Sequence, residues 1–112
     1  MRSQEAKPRR LEHYLGLSGE DYFGEWIRGL PDRRARNRIF VRLGRIKRDG
    51  NFGDHEPAGD GTWELRIDYG PGYRVYYGLD GDRVVILLAG GSKKTQSRDI
   101  ELAKGRWKEY NA

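Results

Sequence analysis

Cysteine is absent from this 112-residue chain, which excludes disulfides and thiolate metal centres and suits a reducing compartment. Histidine is nearly absent: the two, His13 and His55, stand far apart in sequence, so no metal site is expected. No apolar run approaches the roughly 20 residues of a membrane span, and the N-terminus lacks the apolar core of a signal peptide. Internal repeats, low-complexity tracts and signs of a second domain are missing too. These absences leave one soluble, cytoplasmic domain, with no membrane partner and no cofactor expected.

What is present is positive charge. The formal net charge is +5, so nucleic acid or an acidic protein is the expected class of partner. The charge is concentrated after Pro31-Asp32, which should start a helix. Ala35, Ile39, Leu43 and Ile46 make its apolar stripe. Around that stripe lie Arg33, Arg34, Arg36, Arg38, Arg42, Arg45, Lys47 and Arg48, against the lone acid Asp32. Like charges four residues apart destabilise a helix unless a polyanion or acidic partner screens them. Arg34, Arg38, Arg42 and Arg45 are therefore expected to contact RNA backbone or an acidic protein.

The most informative stretch is GTWELRIDYGPGYRVYYG, residues 61–78. Two runs of strand composition, Thr62–Tyr69 and Tyr73–Tyr77, flank Gly70-Pro71-Gly72, a hairpin turn signal. Alternation places Trp63, Leu65, Ile67 and Tyr69 on one face, with Glu64, Arg66 and Asp68 on the other. On the second run Arg74 and Tyr76 oppose Tyr73, Val75 and Tyr77. With the apolar sets buried, the open face should carry Arg66, Arg74 and Tyr76 together. Guanidinium groups match phosphate oxygens, and an aromatic ring beside them offers a seat for a base. The same arginines could equally be solvated strand residues paired with Glu64 and Asp68.

Elsewhere the chain reads simply. Residues 1–10 are polar and basic, with no periodicity, and are expected to be a disordered arm. Leu11–Leu15 alternates as a first strand. A helix begins around Ser18–Asp21, with Tyr22, Phe23, Trp26, Ile27 and Leu30 as its apolar face. Asp49–Gly61 reads as a Gly-rich loop long enough to be functional. After a tight turn at Asp80-Gly81, Arg83–Ala89 is continuously apolar, as for a central strand covered on both faces. Lys93 and Lys94 then precede a last helix from about Gln96 or Ser97, capped by Ser92, Thr95 or Ser97, with Ile100, Ala103, Trp107 and Tyr110 buried. The fold class is α+β: an antiparallel sheet of about four strands, two N-terminal helices and a C-terminal helix over residues 11–112.

This order resembles the RelE/ParE superfamily of toxins from type II toxin–antitoxin systems, in its HigB-like "addiction module killer protein" branch. The matching text is FGEWIRGLPD, RIFVRLGRIKRDGNFGDHEPAGDG, WELRIDYGPGYRVYYG, LLAGGSKKTQSRDI and the closing WKEY. The resemblance implies a microbial-ribonuclease-like fold and metal-independent cleavage of mRNA, usually on translating ribosomes. It also implies neutralisation by a small antitoxin of helix-turn-helix type. It places the arginine of the family's ELR motif on Arg66, the phosphate-stabilising arginine of GYR on Arg74, and a following basic residue on Lys93 or Lys94. The chain departs from the family pattern in two ways. Where RelE-type enzymes carry a tyrosine on the last helix, this chain has Ile100 with Asp99 beside it. Their lysines before ELR are replaced by Thr62 and Glu64.

RNA cleavage by its own 2′-hydroxyl needs a base, positive charge at the phosphorane and an acid for the 5′ oxygen. Arg66, Arg74, Lys93 and Lys94 suit charge stabilisation, and a lysine also suits proton donation. For the base the chain offers Glu64, Asp68 and His55; Glu64 is equally a plain salt-bridge partner of Arg66. Two other functions share the fold: a ParE-like poison of DNA gyrase, and a non-catalytic nucleic-acid-binding or co-repressor module.

Overall fold

The computed structural model describes residues 7–112, so most of the expected N-terminal arm lies outside the described residues. Its last four residues belong to the domain. The Lys7 N–H donates to Asp49 O at 3.3 Å, the Arg9 guanidinium sits 5.5 Å from the Phe52 ring centre, and Arg10 opens the first strand.

The chain runs β1 (Arg10–His13), α1 (Tyr22–Gly29), α2 (Arg33–Asp49), β2 (His55–Gly59), β3 (Thr62–Ile67), β4 (Tyr73–Asp80), β5 (Val84–Ser92), a 3₁₀ turn at Lys93–Thr95, and α3 (Gln96–Tyr110). The helix starts follow from capping. Asp21 accepts from the Gly24 N–H, and Asp32 accepts from Arg34 N–H at 2.9 Å and Ala35 N–H at 3.2 Å, each supplying a partner to otherwise orphaned donors. Ala35, Ile39, Leu43 and Ile46 are all buried, as their spacing predicts.

The five strands form one mixed sheet in the order β1-β5-β4-β3-β2. An antiparallel sheet of about four strands was the expectation, and it fails in two places. β1 runs parallel to β5, with Leu11 opposite Val85; α1, α2 and the β2–β4 meander lie between them in the chain, a connection long enough for a parallel pair. β2 arises within the segment read as a loop. Asp60-Gly61 is a hairpin signal there, and both residues have positive φ, 54° and 85°, as a type I′ turn requires. β2 thereby pairs antiparallel with β3, placing Glu56 opposite Glu64 and His55 opposite Leu65.

Helices cover both sheet faces, and β5 is buried on both, as its apolar run implies. On the side of α1 and α2, Val85, Leu87, Val75, Leu65 and Tyr77 pack with Phe23, Ile27 and Ile39. On the other side Ile86, Leu88 and Tyr76 pack with Tyr14 and Ala103 of α3. Tyr22 leaves the expected α1 stripe for this second core, where Arg106 lies over its ring at 3.8 Å. The α3 stripe also differs: Ile100 and Trp107 are half-buried and Tyr110 is exposed, whereas Asp99 is buried. Asp99 fits because its carboxylate lies 1.8 Å from where a Cβ on Gly91 would be, so only glycine leaves it room. Among the described residues no helix is long and apolar enough to cross a membrane.

Candidate functional site

The β3–β4 register sets Arg66 opposite Arg74 and Glu64 opposite Tyr76, so the alternation expected of this hairpin holds. The face is not open along its whole length, however. α3 lies across its centre, and what α3 covers decides what each residue can do.

Glu64 is buried, at 3% exposure. Its Oε1 accepts from Gln96 Nε2 of α3 at 2.8 Å, and its Oε2 accepts from Arg66 Nε at 3.1 Å. Arg74 Nε also stands 3.0 Å from that oxygen, an ion pair by distance although not aligned as a hydrogen bond. A buried carboxylate needs such partners, because desolvating an unpaired charge costs several kcal/mol. Glu64 is thus the anchor of two guanidinium groups. Both of its carboxylate oxygens are taken up by these partners.

Arg66 makes a further ion pair with Glu56 of β2. Glu56 was not singled out in the sequence, since its strand read as loop. Its placement opposite Glu64 sets two carboxylates side by side, an unfavourable pairing unless a cation bridges them. Arg66 is that bridge.

Beyond these pairs, Arg66 and Arg74 line a cleft of about 330 Å³ with Asp54, Asp68, Lys93 and the turn Gly70–Gly72. Lys93 is brought there by its own backbone, whose N–H donates to Gly72 O at 2.8 Å and ties the end of β5 to the β3–β4 turn. Three cations therefore share one cleft. Lys94, one residue on, is exposed and does not line it.

Four sequence expectations are corrected by these positions. Tyr76 is fully buried under α3 and offers no surface on which a base could stack. Burial, with the Glu64 and Asp99 carboxylates near, pushes its phenol well above the usual range. Its hydroxyl has no hydrogen-bond partner among the described residues. Tyr76→Phe should therefore leave thermal stability unchanged or raise it slightly, since removing an unpaired buried polar group relieves its desolvation cost. A melting temperature lower by several degrees would show that the hydroxyl is bonded.

His55 lies across the sheet from this cleft, on the α2 side, because it pairs with Leu65 rather than Glu64. Its ring packs near Phe52 and Trp63, and its Nδ1 is 2.6 Å from Gly53 O, so it has a structural place and no reach toward Arg66. Arg42 does not stand free to contact RNA backbone or an acidic protein, as was expected of it. Its guanidinium donates to Phe52 O at 2.7 Å, Asp54 O at 3.0 Å and Arg66 O, which pins the loop before β2 onto the end of β3. Burial lowers its pKa, with Asp54 opposing that shift. Lys94 is the fourth correction, as above. Arg34, Arg38 and Arg45 do remain exposed. Arg38 and Arg45 border a second groove of about 430 Å³ with Val41 and Ile67, which adjoins the cleft at Asp68, and Arg38 lies over the Tyr69 ring at 4.5 Å.

Fold and cleft together define a small α+β domain that presents clustered guanidinium and ammonium groups at the end of a mixed sheet. Residues 25–108 match the family described as phage-derived protein Gp49-like (DUF891). The chain belongs to this family. An uncharacterised protein of Haemophilus influenzae (strain ATCC 51907 / DSM 11121 / KW20 / Rd) is 48% identical over 82 residues, 73% of this chain and 82% of the relative.

Proposed function

We propose that this protein is the toxin of a type II toxin–antitoxin pair, in the HigB-like branch of the RelE/ParE superfamily. In this reading it is an mRNA endoribonuclease that works without a metal on translating ribosomes. A cognate antitoxin of helix-turn-helix type neutralises it. The observation that carries the reading is the shared cleft: Arg66, Arg74 and Lys93 converge from two strands and a helix start. Permanent positive charge held by rigid elements is what a developing phosphorane requires. Arg34, Arg38 and Arg45 supply a basic approach for RNA or ribosome backbone.

A second reading draws on the same contacts. Arg66 and Arg74 both lie against the buried Glu64, which also suits a nucleic-acid-binding or co-repressor module that does not cleave. Induced expression followed by primer extension on reporter mRNAs separates the readings. In-frame, codon-phased cuts are expected. Intact mRNA would reject the nuclease, and relaxed or broken DNA beside it would favour a ParE-like gyrase poison.

The two lysines make a sharper test. Lys93→Gln should reduce cleavage far more than RNA binding, because charge at the scissile phosphate counts most in the transition state. Lys94→Gln should leave cleavage unchanged. Equal effects of the two substitutions would remove Lys93 from the site.

A further inference from the structure

We propose that the groove between α2 and the end of β3 is a nucleobase subsite, in which Arg38 stacks on a base flanking the scissile phosphate and Asp68 accepts from that base's amino group; the inference rests on the nuclease reading above. The groove encloses about 430 Å³, and Asp68 lines both it and the phosphate cleft. Arg66 of the cleft and Asp68 are two residues apart, at most about 7 Å of extended chain. A nucleotide whose phosphate meets Arg66 can therefore set its base in the groove.

The lining of the groove suits the flat face of a base. Arg42, midway along its α2 side, directs its guanidinium to the carbonyls of Phe52, Asp54 and Arg66 and offers no charge to a ligand. The wall between Arg38 and Arg45 is left to Val41, 54% exposed, and β3 contributes Ile67. An acidic peptide would find only the two outer arginines, and would bring its carboxylates toward the exposed carboxylate of Asp68. A base has no such conflict.

Arg38 is held ready for stacking. Its guanidinium lies 4.5 Å over the ring of Tyr69, which is half-buried and packed against the core. Tyr69 does not itself line the groove; it stands behind Arg38 and fixes the plane of the guanidinium. One face of that plane is taken by the ring, and the other can receive an unpaired RNA base. Arg45 follows two helical turns later, about 10 Å along the axis, where it meets the adjoining phosphate. Asp68 then chooses among bases. Adenine, cytosine and guanine offer it an amino group, whereas uracil turns carbonyl oxygens toward it.

The test uses short 2′-O-methyl RNA strands, which cannot be cleaved, with 2-aminopurine as the flanking base; its fluorescence is quenched by stacking. Binding to the unsubstituted protein should quench it. Arg38→Lys keeps the charge and loses the planar fork, so the quenching should vanish and binding should weaken about fivefold or more, with the salt slope unchanged. Asp68→Asn should erase the preference for strands with adenine, cytosine or guanine over uracil at that position. Full quenching and full affinity in Arg38→Lys would overturn the proposal, reducing Arg38 to a phosphate contact. So would an acidic amphipathic peptide that binds the unsubstituted protein but not Val41→Asp, while strand binding ignores Arg38→Lys; that pair of results would assign the groove to a protein partner. These readouts need no turnover, so a protein that quenches 2-aminopurine yet cuts no RNA would reject the nuclease reading and leave the base subsite standing.

Discussion

Arg66→Ala and Arg74→Ala are expected to lose RNA cleavage alike, by roughly 10²–10³-fold each, yet to differ in what they do to the fold. Arg66 bridges Glu56 and the buried Glu64, so its removal should lower the melting temperature, but by less than removal of Arg74, because the Arg66 side chain is 37% exposed and solvent can screen the carboxylates it leaves. The Arg74 side chain is 11% exposed and lies against Glu64, itself 4% exposed in its side chain. Removing Arg74 takes a cation from a buried carboxylate that keeps Arg66 and Gln96, a loss of about 2 kcal/mol by analogy with hydrogen bonds to charged groups. For a domain of this size that corresponds to a melting temperature lower by roughly 10 °C. Cleavage and thermal melts on the two purified variants check both halves. Full cleavage in both soluble variants would remove the arginines from the chemistry. Equal melts would mean that the Arg74–Glu64 contact contributes no more to stability than the Arg66–Glu64 contact.

Arg42→Ala should be the most destabilising of the arginine substitutions on α2. Its guanidinium satisfies three backbone carbonyls on two segments, and Ala would leave them to solvent or unpaired. The expected cost is about 3 kcal/mol, or a melting temperature lower by about 10–20 °C. Arg38→Glu with Arg45→Glu should behave in the opposite way. That pair is exposed, so the fold should hold, whereas the salt dependence of RNA or ribosome binding should flatten by roughly one unit of slope per lost phosphate contact. An Arg42→Ala protein with unaltered stability would restore Arg42 to the solvated basic face. An unaltered salt slope in the double reversal would assign that face to a protein partner or to solvent.

Much of this architecture is legible in the amino-acid order because it depends on short-range periodicity. The four residues of the α2 stripe, Ala35, Ile39, Leu43 and Ile46, recur at helical spacing and are all buried. Thr62–Tyr69 and Tyr73–Tyr77 each alternate with period two, so burying their apolar sets on one face puts Arg66 and Arg74 together on the other. The continuous apolar run of β5 can be satisfied only by cover on both sides. Each of these is a property of the backbone's own repeat, and neighbouring residues suffice to state it.

The remaining features depend on contacts between segments far apart in the chain. Period two says that Tyr76 joins Arg66 and Arg74 on one face, but not that α3 closes over Tyr76 and leaves the arginines at the margin. Positive charge on α2 says nothing of which guanidinium meets the carbonyls of a loop ten or more residues away, so Arg42 resembles Arg38 until the loop folds onto it. β2 is short, contains Pro57 and ends in glycine, so its strand character comes from pairing with β3 through the Asp60-Gly61 turn rather than from its composition. That pairing sends His55 to one side of the sheet and brings Glu56 to Arg66 on the other. Local periodicity could assign residues to faces; cover, register and ion-pair partners required the whole chain, because each is set by the segment that arrives from elsewhere.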